Sequence, residues 1–175
     1  MSAALPPRDT VLLSIAKQAM KFSAGHFTLF GPGRRERLHG HDYFVSAKLR
    51  ARVGADGLCF DYGILKRELM ALCQEVDEFV LLPGESPLLR IERDGAQVHA
   101  VFGDERIPFL AGDVRVLPLA NITLEELARW FLGRLLAGCG ERFGEWGVQW
   151  LELSVEAGPG QRAGMAWEAQ GTDDA

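Results

Sequence analysis

The sequence predicts an α+β domain in which two helices cover one face of an antiparallel sheet. Three observations carry that expectation. Period-two alternation of apolar residues recurs near both ends of the chain, two segments between them carry helical stripes, and no glycine-rich nucleotide fingerprint marks a parallel unit. The chain has 175 residues, one domain's worth, with 47% hydrophobic and 25% charged, the proportions of a soluble globule.

The first strand is expected from about Val11 to Phe27, with Met20, Phe22, Ala24 and His26 on one face. Gly31, Pro32 and Gly33 then break the pattern, so Phe30 to Arg37 is expected to be a loop. A second strand runs from His39 to Val53, where Tyr43, Val45, Ala47 and Leu49 alternate against Phe44, Ser46 and Lys48. Strand, loop and strand make a hairpin. After a turn at Gly54, Asp56 and Gly57, a first helix is expected from Gly63 to Asp77, because Leu65, Leu69, Leu72 and Val76 fall on one stripe. Between Leu82 and Asn121, Asp94-Gly95 and Gly103-Asp104 separate short β-like runs, which predicts a hairpin excursion with His99 at its surface. Thr123 and Glu126 form a capping box for the second helix, whose stripe is Leu124, Leu127, Ala128, Phe131 and Leu135, and Gly138 and Gly140 stop it. Two closing strands, Val148 to Ala157 and about Ala163 to Ala169, flank a turn rich in glycine and proline. Residues 10–170 thus read as one domain, and residues 1–9 and 171–175 as disordered tails.

Nineteen Lys and Arg against 24 Asp and Glu leave a net charge of −5, which argues against a role in coating nucleic acid. The opening residues have no basic stretch followed by a long apolar run, so neither a signal peptide nor a membrane anchor is expected. Cys59, Cys73 and Cys139 are odd in number and lack CxxC spacing, which disfavours a disulfide framework and a thiolate metal site. A reducing, cytoplasmic setting fits them.

Three of the four histidines gather at the first hairpin. His39 and His41, spaced by two on a strand, point to one face, and pairing across the loop brings His26 to the same face. Three imidazoles suit zinc and leave a fourth position open for water or substrate. A cupin site also opens with His-x-His, but it wants a glutamate shortly afterwards, and Asp42 to Arg50 supplies none.

Phe22-Ser23-Ala24-Gly25-His26, Leu38-His39-Gly40-His41-Asp42-Tyr43, Asp61-Tyr62-Gly63-Ile64-Leu65-Lys66, Val76-Asp77, Thr123-Leu124-Glu125 and Val155-Glu156-Ala157 resemble, in order, the motifs of the 6-pyruvoyltetrahydropterin synthase / 6-carboxytetrahydropterin synthase family. The resemblance runs from about residue 14 to residue 169. It implies a tunnelling fold: a four-stranded antiparallel sheet with two helices between strands 2 and 3, assembled as a homo-oligomer, trimer or hexamer. By the same resemblance His26, His39 and His41 are zinc ligands, and the substrate is a small-molecule pterin, 7,8-dihydroneopterin triphosphate or a close relative. Glu156 would accept the guanidine-like N–H donors of the pterin ring, with Thr123 nearby. The excursion is an embellishment by comparison with the shortest members, and its expected place is the surface.

The chain departs from the family at two points. Most members carry a cysteine shortly before His-Gly-His as general base, but Gly33 to Leu38 contains none, and Glu36 is the candidate substitute. A subgroup with glutamate there releases 6-hydroxymethyl-dihydropterin. Where the family has Asp-His at the end of the first helix, the chain has Asp77-Glu78, so the proton-transfer candidates are Glu36, Asp77 and Glu78. Arg35, with Arg34 and Arg37, could hold the triphosphate, form a solvated loop, or pin Glu36 in an ion pair. Two functions stay open: a zinc-dependent lyase or synthase, and a metal-containing protein that binds a pterin or purine without converting it.

Overall fold

The computed structural model describes residues 10–169; both expected tails, and residue 170 at the edge of the expected domain, lie outside them. Two long strands, β1 (Thr10–His26) and β4 (His39–Arg52), pair antiparallel and frame the short hairpin of β2 (Leu29–Gly31) and β3 (Arg34–Arg35). The expected loop is therefore partly a hairpin. α1 (Gly63–Val76), β5 (Phe79–Pro83), β6 (Arg90–Asp94), β7 (Gln97–Phe102), β8 (Glu105–Leu110) and β9 (Val114–Leu117) follow, and then α2 (Leu124–Cys139), β10 (Val148–Ala157) and β11 (Arg162–Glu168).

The main sheet has the order β11-β10-β4-β1-β5-β9. Its first four strands are antiparallel, as expected, while β5 and β9 extend the β1 edge in parallel. The excursion is a three-stranded meander, β6-β7-β8, rather than a single hairpin. No helix among the described residues is long and apolar enough to cross a membrane.

Alternation in β1 shifts phase between Ala16 and Lys21, where the β4 register slips. Ile15 before the slip, Met20 at its end and Phe22 and Ala24 after it are all buried, although Ile15 differs from the others in parity. The helical stripes Leu65, Leu69, Leu72 and Val76 of α1 and Leu127, Phe131 and Leu135 of α2 pack in one core with Phe22, Tyr43, Val45 and Leu49 of the sheet. Phe22 stacks on Tyr43 at 4.7 Å and on Phe131 at 5.5 Å. Thr123 caps α2, its Oγ1 accepting from the Glu126 N–H at 3.4 Å. The Glu126 carboxylate reaches past the cap to accept from the Ala120 N–H at 3.3 Å, so the box is left half closed.

A second apolar cluster joins Phe27 and Leu29 to Leu82, Leu89, Val98, Ala100, Phe102 and Val114. It seats the excursion against the segment that follows His26. His99, expected at the surface, is buried, with 8% of its area exposed. It shares a face with Glu92 and Pro108 in the β6-β7-β8 ladder, so the middle position in the meander covers a side chain that its polar surroundings in the sequence made look exposed.

Candidate metal centre

His26 ends β1 and His39 opens β4, and the ladder sets them directly opposite each other, with His41 opposite Ala24. Strand periodicity then directs all three imidazoles to the face that carries Phe22 and Tyr43. Ring centroids lie 4.6 Å apart for His26 and His39, 5.3 Å for His26 and His41, and 4.8 Å for His39 and His41. One ring nitrogen from each falls within 4.8 Å of the others.

Backbone carbonyls orient two of the rings. The Nδ1–H of His26 donates to the Ile122 carbonyl at 3.1 Å, and that of His39 to the Arg37 carbonyl at 2.8 Å. Because a carbonyl only accepts, the proton sits on Nδ1 and Nε2 keeps its lone pair. The Nε2 of His26 is buried with no hydrogen-bond partner, an arrangement that costs free energy unless something binds there. Burial first, and then the His39 charge, lower the His26 pKa from 6.5 to about 4. The imidazole is thus neutral at physiological pH, as a metal ligand must be. Three imidazole nitrogens, one of them orphaned, fit zinc.

Glu36 joins this cluster. Its Oε2 accepts from the Thr28 N–H at 3.0 Å and lies 3.9 Å from His39 Nε2, while its own N–H donates to the Thr28 carbonyl at 2.9 Å. Burial alone would raise the carboxyl pKa, but the Thr28 donors and the His39 and His26 charges outweigh it and hold the group below the usual range. Glu36, the three histidines and Tyr43 line a cavity of about 150 Å³ together with Thr123 and Gln161. Burial, and after it the Glu36 charge, raise the Tyr43 phenol, which stays protonated.

Asp77, Glu78 and Glu156 are elsewhere within the chain. Asp77 follows α1, and its Oδ1 accepts from the Ser23 N–H at 2.7 Å. Glu78 adopts a φ of 62°, the left-handed region that is costly for a non-glycine residue, and its N–H donates to the Ser23 carbonyl at 2.7 Å. It lines a cavity of about 590 Å³ with Ser23, Gly25, Gly40 and Asp42, and His41 borders both cavities. A Cβ at Gly40 would sit 3.2 Å from the Ala24 carbonyl, so the tight strand pairing there favours glycine. Glu156 stands opposite Phe44 and Arg162 in the ladder, on the sheet face turned away from Tyr43 and Ala157.

Arg35 is engaged locally. Its Nε donates to Glu105 Oε2 at 2.6 Å, one Nη donates to the Glu36 carbonyl at 2.7 Å, and its guanidinium lies 5.3 Å from the Phe27 ring centroid. Arg34, Arg35 and Arg37 line a cleft of about 560 Å³ together with Phe102 to Glu105 of the excursion. Sequence reasoning did not single out Thr28, Ile122 or Gln161. The first two act through backbone groups that any residue carries, so their side chains gave no signal.

Residues 14–157 match the profile of the 6-pyruvoyl tetrahydropterin synthase family. A Methanocaldococcus jannaschii protein provisionally assigned as 6-carboxy-5,6,7,8-tetrahydropterin synthase is 28% identical over 145 residues, covering 82% of this chain and 88% of its own. The Plasmodium falciparum 6-pyruvoyl tetrahydropterin synthase structure superposes with a TM-score of 0.87 at 28% identity, covering 92% of this chain and 99% of that one. A Plasmodium vivax 6-pyruvoyltetrahydropterin synthase in which a catalytic glutamate is replaced by alanine gives 0.86 at 27% identity, with 91% and 99% covered. The α+β tunnelling fold follows from these superpositions.

Proposed function

Because the chain belongs to the 6-pyruvoyl tetrahydropterin synthase family, we propose that it is a zinc-dependent lyase acting on the side chain of 7,8-dihydroneopterin triphosphate, with 6-hydroxymethyl-dihydropterin as its product. The observation that carries this reading is the Glu36 carboxylate beside His39 Nε2, in one cavity with His26 and His41. His26, His39 and His41 would hold the zinc. When bound, the metal supplies Lewis-acid polarisation of the side-chain hydroxyls.

Glu36, ionised at neutral pH, accepts a proton from the pterin side chain, and the Thr28 N–H fixes the carboxylate that receives it. That a catalytic glutamate exists in the Plasmodium vivax relative supports this role. Glu156 accepts the paired N–H donors of the ring, Thr123 borders the ring site, and Arg35 with its neighbours meets the phosphates. Asp77 and Glu78 complete proton transfer. Both lie outside the cavity shared by Glu36 and the three histidines, Glu78 lining a neighbouring cavity that meets it at His41, and this supports a site completed by a neighbouring copy in a homo-oligomer, trimer or hexamer. Three free cysteines agree with a cytoplasmic setting.

A second reading, binding of a pterin or purine without conversion, is favoured by the weak basicity of a carboxylate held below its usual range and by Glu78 where the resemblance leads one to expect histidine. Chromatography of dihydroneopterin triphosphate incubated with the zinc-loaded protein separates the two. The lyase reading expects 6-hydroxymethyl-dihydropterin; pterin affinity with unchanged substrate supports the second reading; no affinity contradicts both.

A further inference from the structure

The excursion between β5 and β9 touches the candidate site at two points. Its apolar residues Val98, Ala100 and Phe102 pack in one cluster with Phe27 and Leu29, which follow His26 directly. Its second turn, where Gly103 takes a φ of 57°, presents Glu105 as the first residue of β8. Glu105 is half exposed, yet its carboxylate accepts from Arg35 Nε at 2.6 Å, while the Arg35 guanidinium is mostly buried against Phe27.

From Arg35 the chain of contacts continues inward. One Nη donates to the carbonyl of Glu36, whose N–H and carboxylate are both bonded to the backbone of Thr28. Arg35 therefore grips the residue whose side chain stands beside His39 Nε2, and Glu105 grips Arg35. With the Glu105 carboxylate half exposed, solvent screens the pair, so it is poorly suited to holding the fold together. It is well suited to choosing one rotamer for a long side chain. A planar guanidinium sandwiched between a ring and two acceptors has little freedom left.

We infer that Glu105 is a positioning residue: through Arg35 it fixes the loop that carries Glu36, and the excursion serves as a strut for the candidate base rather than as surface decoration. This rests on the assignment of Glu36 as proton acceptor only for its consequence in turnover; the positioning itself has a separate readout.

That readout is the Thr28 amide, which donates to the Glu36 carboxylate. In amide NMR spectra of the full-length protein, Glu36→Gln is expected to move the Thr28 resonance and so calibrate it. Glu105→Ala is expected to move Thr28 in the same direction, with resonances of α1 and α2 unchanged, and Glu105→Gln, which keeps an acceptor for Arg35, to return it most of the way. Turnover by the zinc-loaded Glu105→Ala protein is expected to fall about 10-fold in kcat with KM nearly constant, since small misplacement of a reacting group costs rate rather than affinity. A Thr28 resonance that ignores Glu105→Ala, or that ignores Glu36→Gln, overturns the inference. If the wild-type protein turns over no pterin, the lyase reading fails, and the Thr28 shifts still decide the strut.

Discussion

The Nε2 of His26 is buried without a partner, and this burial makes the folded chain resist protonating the ring even though the Ile122 carbonyl at Nδ1 favours the proton. Its pKa falls from 6.5 to about 4, with burial as the main cause. Between those values the unfolded chain binds a proton that the folded one does not, and stability must therefore drop as pH falls through that window. The urea midpoint of metal-free protein is expected to show this slope, and His26→Gln to flatten it; equal slopes in the two proteins would contradict the assignment. The thiols follow the same logic with opposite sign. Burial, and then the Asp77 charge, push Cys73 up to about 12, and burial followed by the Glu68 charge pushes Cys139 up to about 11. Both stay protonated and covered, whereas Cys59 is partly exposed. Iodoacetamide at neutral pH is expected to label Cys59 alone, as read by mass spectrometry of the native protein. Labelling of Cys73 before unfolding would show the helix packing to be looser than described.

At the scale of elements, α2 depends on its cap. Thr123→Ala removes the acceptor for the Glu126 N–H and is expected to cost about 1 kcal/mol in denaturant unfolding, with Thr123→Asp retaining most of the stability. That cap, like both helices, was readable in advance, because a 3.6-residue stripe over four turns has few competing explanations. β5 and β9 were not, since Phe79–Pro83 and Val114–Leu117 are short runs whose pairing partners are set by the tertiary fold. The first half of β1 was obscured by the slip between Ala16 and Lys21, which inverts the alternation midway. In the site, His39 and His41 announced themselves by spacing, whereas Glu36 was singled out only by the family resemblance, in place of the missing cysteine. The carbonyl of Ile122 and the N–H of Thr28 could not, because nothing in a side chain records what its backbone will bind.

The whole molecule divides its candidate chemistry between two faces of one sheet. The histidines and Glu36 occupy the face that the helices partly cover, and Glu156 the other, with Glu78 in a separate cavity that meets the first at His41. If neighbouring copies join these halves, co-expressed His39→Ala and Asp77→Ala chains, each inactive alone, are expected to recover activity when mixed in one oligomer. Independent sites would give none. Proton transfer by Glu36, beside three histidines that would hold the metal, is what joins these parts into one proposed reaction. Its most direct measurement compares dihydroneopterin triphosphate consumption by zinc-loaded wild-type and Glu36→Gln protein of equal zinc content. Turnover by the wild type is expected to fall about 100-fold or more in the variant; equal rates in the two proteins, or an untouched substrate with both, would rule out Glu36 as the proton acceptor.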